Sequence, residues 1–171
     1  MALTLRAVSG KSTPATKVAT AAKVAYTLHE YVHDPAAPSY GTEAADRLGI
    51  EAARVHKTLL ATVERAGRTE LIVAVVPVNA QLDLNALAAA VGAKKAEMAK
   101  PADAERITGY VLGGISPLGQ RKRLLTVIDA DALDHPTVFV SAGRRGLEIE
   151  LAAVDLAKLT GGTFAAIAKR A

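Results

Sequence analysis

VHKTLLATVERAGRTELIVAVVP, residues 55–77, holds the reading on which the fold turns. Two apolar runs, 55–63 and 70–76, flank residues 64–69 with Gly67 among them, the pattern of a β-hairpin. The second run, LIVAVVP, is apolar throughout, which predicts a strand covered on both faces at the centre of a sheet. Upstream, Thr13 as N-cap and Pro14 at the first helical position open a helix with Val18, Ala19, Ala22 and Ala25 as its apolar stripe, ending near Tyr26. Residues 26–31 predict a short strand, stopped by the turn-rich HDPAAPSYG, and Thr42 opens a small helix closed by Gly49. Downstream, Asp83 caps a helix that ends at Gly92, residues 95–98 form a strand, and Pro101 starts a short polar helix ending at Gly109. YVLGGISPLGQ follows with a strand-like start; 124–128, 137–140 and 147–151 are β candidates, and 154–159 and 164–168 read as helical. Strands and helices interleave without a long linker or internal repeat, so a single mixed α/β (α+β) domain is expected over residues 13–171, after a loose leader at 1–12.

Half of the 171 residues are hydrophobic against 22% charged, enough apolar surface to offset the ordering entropy of a packed domain. With aromatics at 4% and no Trp, a broad base-stacking platform is excluded. Cysteine is absent, which removes disulfides, thiolate metal sites and any cysteine nucleophile of the protein's own. No apolar run reaches the ~18 residues of a membrane span and the first residues lack a secretory signal, so the expectation is a cytoplasmic protein with no membrane partner. The net charge of +4, from 21 basic and 17 acidic residues, is too small to wrap DNA but favours a polyanion where cations share a face. The clustered cations are Lys94-Lys95, Arg121-Lys122-Arg123, Arg144-Arg145 and Lys169-Arg170.

Two places invite chemistry. Gly113-Gly114-Ile115-Ser116-Pro117-Leu118-Gly119 is a glycine loop followed by Gln120-Arg121-Lys122-Arg123; glycines let a ligand reach main-chain N–H groups, and neighbouring cations attract phosphate. It matches neither a Walker A loop nor G-x-G-x-x-G, and a tight turn with a solvated basic flank remains the alternative. Lys57 sits in VHKTLL, where alternation puts it on one face with Val55 and Leu59 and puts His56, Thr58 and Leu60 on the other. A lysine there holds a carbonyl oxygen or a phosphate at a pocket mouth, or, on an edge strand, discourages aggregation. His29 and His33 lack a metal-binding pattern, Ser116 and Ser141 lie in no G-x-S-x-G elbow, and Glu148 and Glu150 share a strand face as paired or merely surface carboxylates. No metal and no cofactor are expected.

Several segments together resemble the YbaK/EbsC family, free-standing relatives of the editing domain inserted in bacterial prolyl-tRNA synthetases. They are STPAT at 12–16, LHEYVHD at 28–34, YGTEAADRLGI at 40–50, HKTLL at 56–60, KKAEMA at 94–99, TGYVLGGISPLGQRKR at 108–123 and VSAGRRGLEIEL at 140–151, in family order and spacing. The likeness is nearest to the branch that deacylates Cys-tRNA(Pro). It implies a mixed sheet of about six or seven strands, barrel-like, with helices outside. It also implies a tRNA-editing esterase acting in trans, partnered transiently by prolyl-tRNA synthetase, in which the substrate's own thiol attacks the ester. Carried over residue by residue, Lys57 holds the aminoacylated 3′ adenosine and Gly113 and Gly114 face the aminoacyl group. Tyr31, Tyr40, Thr58, Ile115, Ser116, Pro117, Ser141 and Glu148 line the pocket, while Arg121, Lys122, Arg123, Arg144 and Arg145 contact tRNA phosphates. The chain departs from the family at His56 and Tyr40, where Phe is frequent, and at Glu148, where Asp is expected. Two other readings stay open: a deacylase that clears Ala or another small amino acid by water attack, and a non-catalytic tRNA or synthetase accessory module.

Overall fold

A computed structural model of the chain describes residues 12–37 and 39–170. The expected leader, apart from Ser12, and the side chain of Tyr40 lie outside the described residues. The hairpin forms as β2 (His56–Arg65) and β3 (Arg68–Pro77), paired antiparallel from His56↔Pro77 to Arg65↔Arg68. Its turn is only Ala66-Gly67, with φ of +52° and +73°, the two positive values that fit the twist of the strands. β3 is the centre of a sheet of order β5-β2-β3-β6-β9, where β5 is Lys95–Met98, β6 Thr126–Asp129 and β9 Thr163–Ala165. Both faces of β3 are covered, as the apolar run requires. Val73 and Val75 enter one core, and Ile72, Ala74 and Val76 enter another against Leu87 of the helix that follows.

A second sheet has the order β1-β8-β7, with β1 at Tyr26–Glu30, β8 at Leu147–Leu151 and β7 at Val138–Arg144. Its inner face, Val138, Val140, Ala142, Leu147, Ile149 and Leu151, packs on Leu60, Val73 and Val75 of the larger sheet to make the main core. Two short strands, β4 (Gln81–Leu82) and β10 (Ala168–Lys169), form a third sheet. The domain is therefore mixed α/β, but among the described residues the sheets do not close into a barrel, and ten strands in three sheets replace the single curled sheet of six or seven. β5 takes the outer edge of β2 from Ala61 onward, so only the start of β2 faces β7, through one parallel bridge between Val55 and Phe139.

The helices α1 (Pro14–Ala21), α2 (Tyr40–Leu48), α3 (Leu84–Ala90), α4 (Pro101–Thr108) and α5 (Ala153–Thr160) follow their capping signals. Thr13 and Thr16 form a reciprocal capping box, and the Thr13 hydroxyl also donates to Ala142 O at 2.5 Å, docking α1 on β7. α2 begins two residues before Thr42, capped by Ser39. Two expectations fail: residues 110–112 form bends and turns rather than a strand, and 164–168 are not helical but carry β9 and the start of β10. The reason in the second case is Asp129, 2% exposed, whose Oδ1 accepts from both Ile167 N and Ala168 N at 3.0 Å. Those bonds hold the C-terminal segment extended beside β6. Asp129→Ala leaves these donors without their acceptor, and at about 1–3 kcal/mol per orphaned buried group the expected loss is about 2–4 kcal/mol. Urea unfolding checks this as a lowered midpoint, with Asp129→Asn, which keeps Oδ1, retaining most of the stability.

Candidate active site

The outer face of the smaller sheet turns away from the main core and gathers polar groups. Alternation puts Phe139, Ser141, Glu148 and Glu150 on it, with His29 opposite Glu148, Ser141 opposite Glu148 and Phe139 opposite Glu150. Ala44 and Ala45 of α2 cover it together with Val55, Val78 and Phe139, and Tyr31 packs on this layer. α2 comes close because Gly41 carries no Cβ, which would lie 2.4 Å from Val78 Cγ1.

The two carboxylates on this face have opposite fates. Burial works to raise the Glu150 carboxyl. The Thr137 hydroxyl at 2.5 Å and His29 Nε2 at 2.8 Å bond to it, and these with the charges of His29 and Arg54 hold it below its ordinary value. Glu148 is 8% exposed, its Oε2 meets no partner, and burial pushes it up to about 8. Burial, then the charges of Glu148 and Glu43, push the Tyr31 hydroxyl up to about 12. Glu43 is occupied by His33 Nδ1 at 2.7 Å and Asp34 N at 2.8 Å, and no cluster of metal-binding side chains occurs among the described residues.

Lys57 lies at the start of β2. Val55 bridges Phe139 in a parallel sense, and alternation puts Lys57 on the same side of its strand as Val55, which packs with Phe139 and Val78. It is half-buried, burial draws its ammonium below the ordinary lysine value, and it has no ion pair among the described residues. β2 lies between β3 and β5, with β7 at its start, so this is not the aggregation-blocking charge of an edge strand. Lys57 lines a groove of about 530 Å³ with Val78, Asn79, Ala80, Gln81, Lys169 and Arg170, and none of residues 113–117 lines it. Thr58 points the other way, with His56 and Leu60.

The glycine loop meets the far end of β7. A Cβ on Gly114 would stand 2.9 Å from Arg144 Cα, so only glycine lets the loop lie against the strand there. Gly113 has φ of +83°. The Gly114 N–H is already committed to Val111 O at 3.0 Å, while those of Gly113, Ile115 and Ser116 donate to nothing among the described residues. Ile115 and Leu118 pack in the main core, Pro117 is buried, and Ser116 Oγ accepts from Leu118 N at 3.1 Å, so their side chains support the loop.

The expected phosphate contacts divide into two groups. Arg144, 4.0 Å from Glu30, and Arg145, which donates to Leu112 O at 3.0 and 2.7 Å, adjoin the loop. Arg121 stands beside Gly109, and Lys122 and Arg123 line a groove with Thr69 and Leu71. That groove is five strand residues, roughly 17 Å, from Val76, the cross-strand partner of Lys57. The cations that share a groove with Lys57 are instead Lys169 and Arg170. The dipeptide is visible in the sequence, but only the pairing of β10 with β4, Lys169↔Gln81, brings it here. Gly41, Asn79 and Gln81 carry no signal in the sequence taken alone.

An α/β domain with an unpaired half-buried lysine, a glycine loop against a strand end and a buried carboxyl without a partner has the parts of an anion-binding site. Comparison with known proteins narrows it. The profile of the aminoacyl-tRNA editing domain matches residues 34–159, and the chain belongs to that family. It is 45% identical over 123 residues, 72% of this chain and 73% of the other, to the Enterococcus faecalis (strain ATCC 700802 / V583) protein named "Putative Cys-tRNA(Pro)/Cys-tRNA(Cys) deacylase EbsC". It is 33% identical over 73 residues, 43% of this chain and 44% of the other, to the Escherichia coli (strain K12) "Multifunctional Ser/Thr-tRNA deacylase ProXp-y". The fold is shared, with a TM-score of 0.74 at 24% identity, over 92% of this chain and 98% of the other, by a solved structure described as "a putative trans-editing enzyme for prolyl tRNA synthetase".

The raised Glu148 carboxyl ties stability to pH. Its folded value, about 8, exceeds the ordinary 4.5, so its contribution is full below pH 4.5 and is lost as pH rises through about 8. His56, pushed down to about 4 chiefly by burial, has the opposite sign, its contribution being lost as pH falls from 6.5 through 4. Glu148→Gln is neutral at every pH, and the His56 effect cancels in the comparison. Urea titrations at pH 4.5 and 8.5 are expected to show near-equal stability at the lower pH and the variant ahead by a few kcal/mol at most at the higher. A pH-independent difference refutes the assignment.

Proposed function

We propose that this chain is a trans-editing aminoacyl-tRNA deacylase that removes cysteine mischarged onto tRNA(Pro) by prolyl-tRNA synthetase. The observation that carries the reading is a half-buried Lys57 ammonium without an ion pair among the described residues, together with the uncompensated Glu148 carboxyl, in a member of the editing family with 45% identity to a protein named for this substrate. In this reading Lys57 anchors the 3′ terminal nucleotide, and Ser141, Glu148 and Tyr31 line the seat of the amino acid. The free amides of Gly113, Ile115 and Ser116 are the donors toward the carbonyl oxygen, the Gly114 amide being engaged in its turn. Arg144 and Arg145 adjoin the loop as phosphate contacts.

The family resemblance implies that the nucleophile is the substrate's own thiol, and a chain without cysteine fits that mechanism. The substrate thiol adds to its own ester carbonyl, forming a C–S bond. The oxyanion is held by loop amides, the ester C–O bond breaks, and the thiol proton ends on the departing ribose oxygen. The products are a cysteine thiolactone and tRNA with a free 3′ end. What the protein supplies is mainly geometry, holding sulfur close to carbon, together with donors placed where charge develops.

The similarity to a Ser/Thr-tRNA deacylase gives the second reading, a small-amino-acid deacylase using water. Incubating the protein with Cys-, Ser-, Ala- and Pro-tRNA(Pro) separates the two. Ester loss from Cys-tRNA(Pro) alone, with thiolactone formed, is the expected result, whereas equal loss from Ala-tRNA(Pro) refutes thiol attack. Lys57→Ala is expected to lower kcat/KM on Cys-tRNA(Pro) by about 100-fold or more. An unchanged ester lifetime at saturating protein would instead identify an accessory module.

A further inference from the structure

The groove beside Lys57 contains groups to which the reading above gives no work. Its floor is the β3–β4 turn, with Asn79 and Gln81, and its far wall is β10, where main-chain pairing of Lys169 with Gln81 fixes the lysine's place. Asp129 holds the same segment through Ile167 N and Ala168 N. Three cations line the groove, and the acid that reaches one of them, Asp131, pairs with Arg170 from outside the lining. That leaves Lys57 and Lys169 without ion pairs among the described residues. Two unpaired ammonium groups along one groove repel each other unless an anion lies between them, and Asn79 and Gln81 add amide N–H donors suited to phosphate and sugar oxygens.

We infer that this groove is the track for the sugar-phosphate backbone of the single-stranded 3′ end of tRNA, with Lys169 contacting a phosphate one or more nucleotides before the one held at Lys57. The inference deepens the proposed function and rests on it for the identity of the polyanion. With the terminal nucleotide held at Lys57, the groove shared with Lys169 and Arg170 is the path open to the nucleotides before it. Lys122 and Arg123, at the other end of β3, are not on that path.

Equilibrium binding of uncharged tRNA(Pro) across a salt series tests it without any dependence on the amino acid. Lys169→Ala is expected to weaken binding about 3- to 10-fold at low salt and to flatten the slope of log K against log salt by about 0.7, the value for one phosphate of a single strand. Lys169→Arg restores both, and Lys158→Ala, an exposed charge on α5, changes neither. On tRNA(Pro) lacking its CCA end, wild type and Lys169→Ala should bind alike. An unaltered slope for Lys169→Ala, or a difference that persists without the CCA end, overturns the inference, as does failure of the wild type to bind tRNA(Pro). If the mischarged panel shows no deacylation while the Lys169 effect depends on the CCA end, the proposed function fails and the groove assignment stands.

Discussion

The site exists because two sheets that share a core touch through one main-chain bridge, between Val55 and Phe139. On one side of that bridge β2 is bound to β3 and β5; on the other, β7 is bound to β8. Neither strand can slide without shifting a ladder, since a one-residue slip would turn every side chain of the strand to the wrong face. The bridge therefore sets which residues of the two sheets become neighbours. Val55 and Phe139 are themselves buried, at 1% and 3% exposure, so the register is held by packing as well as by hydrogen bonds. Lys57 and Ser141 are each two residues beyond it, on the strands that this bridge joins.

The backbone was legible where local signals were strong. Thr13-Pro14, Asp83 and Gly109 mark helix ends by capping chemistry that acts within one turn, and the structure places the ends there. The apolar run 71–77 has to be central because no other position covers both its faces. The segment 164–168 misled because its local propensity is weak, while a carboxylate 38 and 39 residues upstream supplies the decisive hydrogen bonds. The barrel expectation failed for a related reason: whether β2 pairs with β7 along its length depends on β5, and the four-residue run KAEM does not reveal which edge it takes.

The site was legible only in parts. Alternation alone placed Lys57 on an apolar face, and it also set Thr58 on the opposite one, which outweighs its expected place in the pocket. The charge clusters were visible, but periodicity does not say that Arg121 to Arg123 lie at the far end of the hairpin while Lys169 comes to Lys57. That information sits in the β4–β10 pairing, between segments that close the chain on itself.

Unpaired charge is the thread that joins these places. The structure satisfies Glu150 with Thr137 and His29, Glu43 with His33 and the amide of Asp34, and Arg170 with Asp131. Against that background the buried Glu148 and the half-buried Lys57 stand without partners among the described residues, and an uncompensated buried group is a standing cost to the fold. Folding alone gives no reason to keep a half-buried ammonium and a carboxyl without partners on one face, because an apolar residue at either position would pack there without that cost. A ligand that brings both an anion and a polar amino acid does give a reason, for it satisfies the groove and the pocket in one binding event. In the proposed reading the phosphates lie toward Lys57 and Lys169, the ester toward the free loop amides, and the amino acid onto the face of Ser141 and Glu148.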